Sequence, residues 1–544
     1  MRRFIETYDG RSFDVIVVGG GISGAAVAYD AASRGLSVAL VEKQDFGCAT
    51  SSATSKLIHG GSRYLASYEF GLVRESLRER KTLSNIAPNL VYPQPVIVAL
   101  YSGRSAANPW AMKVGMTLYD LLSFDKRFTW DKSKQLPHHR MLSAADVLRL
   151  EPTFRAEGLG GATLYYDCRS LCPERLTLAF VKSAVNAGAH VANYAKVGGF
   201  LLSGGRRVSG VKVRDLIMDA DLEIEGRLVI NCAGPWADHV LNSIDGKGLG
   251  TKVRRSEGIH VITRKLAGDH MVACGSTRGK PFFLLPWRGH TLIGTTDKEY
   301  VGDPDDYRVT KAAIEELLAD TNDRLAVEPV RYEDVLYTYG GLRPLVEDQT
   351  KGTRESSRRY EIYDNAQDGV EGLTTVVGGK YTTSRGLADS VMKMVARKLG
   401  RDLGKCVTAD RHLAGCEIDD LTAFMDAVKR AHPGLSERTL DWLGRHYGTE
   451  YQRVVEIART DKALAEPLDA DGEIPAQVVY AIREEMALTL KDIVFRRTGL
   501  GTLGDPGDAV INRVAALSAT ELGWDDDRKQ REVAQVKQAL QLPA

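Results

Sequence analysis

The residues with the clearest chemistry lie near the start of the chain, where Gly19, Gly21 and Gly24 follow the apolar run Val15-Ile-Val-Val18. An alanine-rich segment follows the glycines, and a second apolar run, Ser37-Val-Ala-Leu-Val, closes on Glu42 and Lys43. Gly19 permits a tight turn, Gly21 lets backbone approach a pyrophosphate, and Gly24 lets a helix pack on a strand. The helix N-terminus presents N–H groups and the positive end of its dipole to phosphates. Glu42, 18 residues beyond Gly24, is spaced to hydrogen-bond ribose hydroxyls. Strand, turn, helix, strand and acid together predict dinucleotide binding. The glycines alone leave NAD and FAD as equal alternatives, and an ordinary glycine turn as the bland one.

Other segments carry the same kind of signal. Ala49-Thr-Ser51-Ser52-Ala-Thr-Ser, ending at Gly60-Gly61, is small and hydroxyl-rich; it could line a phosphate or a flavin ring, or be a plain surface loop. The apolar run Arg227-Leu-Val-Ile reaches Gly234, and Leu373-Thr-Thr-Val-Val reaches Gly378-Gly379, so backbone could meet a cofactor in both places. Arg343 follows Gly340-Gly341, and Lys380 follows Gly378-Gly379. Glycine-rich loops at strand ends are where α/β folds place ligands. The competing reading for either cation is an ordinary salt bridge.

These residues need several domains to position them, since 544 residues are too many for one core. Hydrophobic content of 43% and charged content of 26% are those of a packed globular protein. A formal net charge of +1, with no basic run, gives no reason to expect nucleic acid. The seven cysteines are odd in number and scattered. Cys168 and Cys172 lack a second Cys/His pair, so no metal site is expected and reduced thiols in a cytoplasmic compartment are. No apolar run approaches the roughly 18 residues of a membrane span, and Met1-Arg-Arg-Phe-Ile-Glu lacks a signal-peptide core.

The pattern predicts an α/β protein with a discontinuous Rossmann cofactor domain built from segments 1–90, 166–250 and 334–400. An inserted mixed-sheet substrate domain takes 91–165 and 251–333, where Phe282–Trp287 and His290–Asp297 read as a hairpin. Pro173 opens a helix, and the strand at His190–Tyr194 returns to the first sheet. After about residue 405 strand patterns vanish. Leu435–Tyr447, Glu450–Thr460, Ala476–Leu490 and Arg528–Leu540 read as helices of a C-terminal domain, 405–544.

Four blocks carry a resemblance across this frame: Ser51-Ser-Ala-Thr-Ser-Lys-Leu-Ile-His-Gly-Gly-Ser-Arg63-Tyr64-Leu, Pro286-Trp-Arg…Ile293-Gly-Thr-Thr-Asp297, Thr338-Tyr-Gly-Gly-Leu-Arg343-Pro, and Gly378-Gly-Lys380-Tyr-Thr-Thr. In this order they resemble the FAD-dependent, membrane-associated glycerol-3-phosphate dehydrogenases, from about residue 12 to 400, with 405–540 similar to that family's C-terminal domain; the resemblance implies a glutathione-reductase-like FAD domain. Ser23 stands where Asn or Thr is common, and Cys172 where an acid is expected, which touches helix capping more than chemistry. The resemblance implies FAD held by Gly19, Gly21, Gly24, Glu42, Lys43, Ser51, Ser52, Gly60, Gly61, Val197, Gly234, Gly378, Gly379 and Lys380. It implies Arg63, Tyr64, Arg358 and Lys380 near a substrate phosphate, and Arg343 near the C2 oxygen. Arginine suits the phosphate because its planar fork donates two hydrogen bonds. His260 becomes a candidate base or orienting group, with an ordinary pKa near neutrality; a packed structural histidine is the alternative.

The implied reaction is oxidation of sn-glycerol 3-phosphate to dihydroxyacetone phosphate, with hydride to FAD and electrons to membrane quinone. An oxygen-using glycerol-3-phosphate oxidase, a related hydroxy- or amino-acid oxidoreductase, and a flavoprotein without turnover are the alternatives. Quinone implies peripheral association with a lipid surface, at the cytoplasmic face of the inner membrane. Trp110–Trp130, apolar and aromatic with Lys113, Lys126 and Arg127 at its flanks, reads either as an interfacial helix or as one buried against the substrate domain. A homodimer is left open.

Overall fold

The computed structural model describes residues 1–102, 108–244, 253–346 and 359–544. A strand at Phe13–Val18 enters the glycine turn, a helix spans Ile22–Ser33, and a second strand spans Val38–Val41. Val15, Ile16 and Val17 are fully buried, as a parallel strand between two layers must be. Gly24, Ala25, Ala28 and Ala31 keep the helix slim and buried, so it packs against the helices Pro173–Asn186 and Ser384–Leu399.

The first sheet runs in the order Tyr360–Asp364, Leu373–Gly378, Ala220–Asn231, Phe13–Val18, Val38–Val41, His190–Ala192. Every neighbouring pair is parallel except Tyr360–Asp364 with Leu373–Gly378. The parallel strands therefore deliver Gly19, Glu42, Gly234 and Gly378 to one edge, where ligands bind in such sheets. Ala195–Ser203 and Arg207–Asp215 form an antiparallel ribbon on Ala220–Asn231.

The second sheet is mixed. Its path runs Lys298–Tyr300, Arg254–Thr263, His290–Gly294, Pro281–Trp287, Met271–Gly275, Val91–Tyr101, Leu159–Ser170 and Leu57–Ile58. One face packs Ile97, Val261 and Leu284 on the helix Lys311–Asn322 through Ile314 and Leu317. The other face carries Val96, Met271 and Phe283 toward Tyr64, Leu77, Met116 and Tyr119.

Strand Val335–Leu345 differs from the expected partition. It pairs antiparallel with Arg254–Thr263 in the second sheet, with Arg343 opposite Ser256 and Tyr339 opposite His260. The cofactor segment expected from 334 therefore begins after Leu345. Leu57–Ile58 likewise joins the second sheet, and Leu159–Ser170 crosses the boundary drawn at 166. Pairing across some eighty residues leaves no mark on local periodicity, which is why the strand alone did not reveal its sheet.

The C-terminal region is helical, with helices at Leu421–Ala431, Glu437–Tyr447, Tyr451–Thr460, Pro475–Glu485, Asp508–Leu522 and Asp526–Leu540. Asp420, Ser436 and Asp525 cap three of them, each accepting a backbone N–H at the third helical position. Two larger cores, one around Tyr447 and Tyr480 and the other around Ile493, Val514 and Val536, and a small one at Ile418, Leu421 and Met425 fill this region. It is joined to the first domain by buried ion pairs, including Arg175 Nη1 to Glu485 Oε2 at 2.5 Å.

Candidate active site

A cavity of about 1100 Å³ is walled by both sheets. That exceeds the roughly 300–1,000 Å³ of a site for one drug-sized ligand, and suits an extended dinucleotide with a substrate at one end. At the first end, Gly21, Ile22 and Ser23 present the helix start to the cavity. Gly19 has φ +106°, and a Cβ on Gly24 would lie 1.9 Å from the Gly19 carbonyl oxygen. Glu42 accepts the Gly20 N–H at 2.6 Å and the Gln44 N–H at 2.8 Å, and burial raises its pKa. The Ser51 hydroxyl accepts the Ile22 N–H at 2.9 Å.

The hydroxyl-rich segment is a wall of this cavity. Ala49 and Lys56 adopt φ of 58° and 57°, a left-handed conformation that strains residues with a Cβ. Three contacts hold it there. Thr50 Oγ1 donates to the Leu342 carbonyl at 2.6 Å, the Tyr339 hydroxyl donates to the Thr54 carbonyl at 2.9 Å, and Lys56 Nζ meets Glu174 at 2.7 Å. The strand that carries Arg343, and His260 through its contact with Ser55 Oγ, thus also fix the cofactor wall.

At the other end the cations gather. Arg63 Nη2 donates to the Tyr64 hydroxyl at 2.9 Å, its guanidinium stands 4.8 Å from the Tyr64 ring centroid, and Lys380 Nζ stands 4.3 Å from the same centroid. Lys380 donates to Ser76 Oγ at 2.7 Å. Burial first, then Arg63, brings its pKa down to about 7. Arg343 is clamped, donating to the Glu257 carbonyl at 3.0 Å, the Thr296 carbonyl at 3.1 Å and Thr295 Oγ1 at 2.8 Å. Gly258 makes that possible, because a Cβ there would lie 1.8 Å from Arg343 Nη2.

His260, 1% exposed, stacks on Tyr339 with centroids 4.9 Å apart and places Nε2 2.9 Å from Ser55 Oγ. Its Nδ1 has no hydrogen-bond partner among the described residues. Burial, then Arg343 and Lys56, pushes its pKa well below the usual value, so the imidazole is neutral.

Of the residues singled out in the sequence, Gly19, Gly21, Glu42, Lys43, Ser51, Gly61, Arg63, Tyr64, Val197, Gly234, His260, Arg343, Gly378, Gly379 and Lys380 line this cavity. Gly24, Ser52 and Gly60 are not among its lining residues. Gly24 serves helix–turn packing. Ser52 turns its hydroxyl to the Ala49 carbonyl at 2.9 Å. Gly60 gives its N–H to Asp167, and a Cβ there would lie 2.3 Å from the Tyr119 hydroxyl. Arg358 lies outside the described residues. Cys172 makes no side-chain cap to the helix begun by Pro173.

Sequence reading passed over His59 and Asp167, both cavity residues. Burial, Lys380 and Arg63 depress His59 to about 3. Asp167 is buried and accepts Arg80 Nη1 at 2.6 Å and the Tyr119 hydroxyl. His59 lies within the hydroxyl-rich motif Ser51–Leu65, and Asp167 gathers its partners only by folding.

The cradle fits a flavin dinucleotide at each point. The glycine turn and helix start suit the pyrophosphate, Glu42 suits the ribose, and the Gly378-Gly379 turn, with φ of 76° and 97°, brings bare backbone to the far end. Residues 14–385 match the family model of FAD-dependent oxidoreductases, and 406–529 match the C-terminal domain of alpha-glycerophosphate oxidase. A glycerol-3-phosphate dehydrogenase of Synechocystis sp. is 34% identical, over 98% of this chain and 97% of its own. The aerobic glycerol-3-phosphate dehydrogenase of Staphylococcus aureus is 31% identical, over 93% and 91%.

The chain belongs to the FAD-dependent glycerol-3-phosphate dehydrogenase family. Its cofactor is FAD. The fold agrees. The Bacillus halodurans glycerol-3-phosphate dehydrogenase, solved with FAD, aligns with a TM-score of 0.77 and 27% identity over 97% of this chain and 95% of that one. The L-alpha-glycerophosphate oxidase of Mycoplasma pneumoniae shares the fold, with a TM-score of 0.54 and 18% identity over 73% of this chain and 96% of its own.

Proposed function

We propose that this protein oxidises sn-glycerol 3-phosphate to dihydroxyacetone phosphate and passes the electrons to a membrane quinone. The convergence of Arg63, Lys380, Arg343 and His260 on one cavity carries the reading. A phosphate ester of nearly two negative charges needs more than one cation, and Arg63 and Lys380 flank the same tyrosine ring. Arg343, held by acceptors that include Glu257, Thr295 and Thr296, places fixed positive charge beside the C2 oxygen, where negative charge grows as the proton leaves.

Neutral His260 takes the hydroxyl proton. A bound dianion offsets the cations that depress its pKa, so proton acceptance becomes easier once substrate is in place. FAD supplies the hydride acceptor when bound. The balance is complete: hydride leaves C2, the hydroxyl proton goes to His260, and the C2–O bond becomes a carbonyl.

The helix Pro109–Leu122 supports the membrane reading. Met116 and Tyr119 face inward, while Trp110, Val114, Leu121, Phe124 and Phe128 are each 66–74% exposed. Lys113 and Arg127 accompany this apolar surface, as on a helix lying at a lipid headgroup layer. No described helix is long and apolar enough to cross a membrane. Peripheral attachment at the cytoplasmic face of the inner membrane is consistent with both observations.

Anaerobic addition of glycerol 3-phosphate should bleach the flavin band near ~450 nm, as reduction of a bound flavin does. Equal bleaching by plain glycerol would remove the phosphate site from the proposal. Rapid peroxide formation in air, with no reduction of a quinone analogue, would assign oxygen as the acceptor instead.

A further inference from the structure

Two loops wall the cofactor end of the cavity, and one stretch of the C-terminal region grips both from behind. Glu42, Lys43 and Gln44 belong to the first loop, and Ala195 and Val197 to the second. The loops are tied together, with the Ala195 N–H on the Glu42 carbonyl at 2.7 Å and the Tyr194 N–H on the Gln44 carbonyl at 2.9 Å. Tyr194 has a φ of 53°, a strained conformation that persists only where its surroundings enforce it.

The enforcing groups come from far along the chain. Asp45, 0% exposed, receives both terminal nitrogens of Arg497 at 2.7 Å and Arg496 Nε at 2.6 Å. Arg496 Nη2 also bonds Asp492 at 2.5 Å, and Asp492 accepts the Tyr194 hydroxyl at 2.6 Å. Successive residues of an α-helix diverge by about 100°. Ile493–Arg497 is instead a π-helical turn, and both arginines reach one carboxylate. Such turns recur at functional sites, yet none of these groups takes part in the oxidation.

We propose that Asp492, Arg496 and Arg497 form a cofactor-retention clamp, by which the C-terminal region holds the loops at Glu42–Asp45 and Tyr194–Val197 in the geometry that binds FAD. They are positioning residues acting through Asp45 and Tyr194. The clamp orders these loops before the cofactor arrives, so binding does not bear that ordering cost. It is independent of the substrate and acceptor proposed above.

The test titrates flavin-free protein with FAD, followed by flavin fluorescence, beside thermal midpoints of the same samples. Asp45→Asn and Arg497→Lys should each raise the FAD dissociation constant roughly tenfold, the scale of a charged hydrogen bond. Tyr194→Phe, which leaves every ion pair intact, should raise it about threefold. Asp471→Asn breaks a different contact of the C-terminal region, to Arg288 at 2.5 Å, and should leave FAD affinity within about twofold.

At saturating FAD, the KM for glycerol 3-phosphate should stay within about twofold in all four variants. FAD affinity unchanged in both Asp45→Asn and Arg497→Lys would overturn the clamp. An equal loss in Asp471→Asn would also overturn it, reducing the region to a general stabiliser. Should neither ion-pair variant fold, Tyr194→Phe decides, and wild-type affinity there overturns the proposal.

Discussion

A lysine ammonium ordinarily titrates near ~10.4, yet burial and then the Arg63 guanidinium bring Lys380 to about 7. Below that pH Lys380 is the cation a phosphate needs, and above it the charge is lost. Because kcat/KM reports the free enzyme, it should fall as pH rises past about 7. Lys380→Arg keeps its charge throughout and should abolish that alkaline limb, whatever its absolute rate. An unchanged limb would show that another group titrates there. Arg343→Ala should lower turnover by about 10²-fold, the usual scale for losing a fixed charge at a developing oxyanion, with flavin absorbance retained. Lys380 could be read in the sequence because it follows a glycine turn; Arg343 could not be read that way, since Gly340 and Gly341 lie within the strand Val335–Leu345 and not in a loop at its end. The neutrality of His260 could not, since it arises from burial and from Arg343 and Lys56, which only the fold brings near.

Elements differ in how much of their role is local. The strand–turn–helix at Phe13–Ser33 is written in consecutive residues, and Gly24 is its most sensitive point. Gly24→Ala would place a methyl 1.9 Å from backbone oxygen, so the turn must open. Purified Gly24→Ala should carry little FAD, measured as the ratio of flavin to protein absorbance; full occupancy would contradict this packing. The helix Pro109–Leu122 is the opposite case. Its aromatic residues are plain in the sequence, but which of them face solvent depends on the sheet beneath. Met116 and Tyr119 pack on that sheet, and Trp110 and Leu121 do not. The double variant Trp110→Glu, Leu121→Glu should leave anionic vesicles in a flotation assay while retaining turnover with a soluble dye. Continued flotation would place the lipid contact elsewhere.

The first domain and the C-terminal region are held together by buried charge. Arg175 and Lys182 of the first domain converge on Glu485, which is 0% exposed. Removing one partner of such a group strands the others, so Glu485→Ala should cost about 3–5 kcal/mol of stability by denaturant titration. The same interface should make the FAD domain and the C-terminal region unfold in one calorimetric transition, and two separated transitions would deny the coupling. FAD at a hundredfold excess over its dissociation constant should add about 2.7 kcal/mol.

The sequence by itself determined the dinucleotide turn, the helical C-terminal region and several of the glycines that line the cavity, because glycine spacing and hydrophobic period act over a few turns of chain. Only the tertiary structure decided that Val335–Leu345 belongs to the second sheet, and that Arg497 reaches back 452 positions to Asp45. Period reports whether an element has a buried face. What covers that face, and which charges meet there, is settled by contacts between residues that no local pattern links.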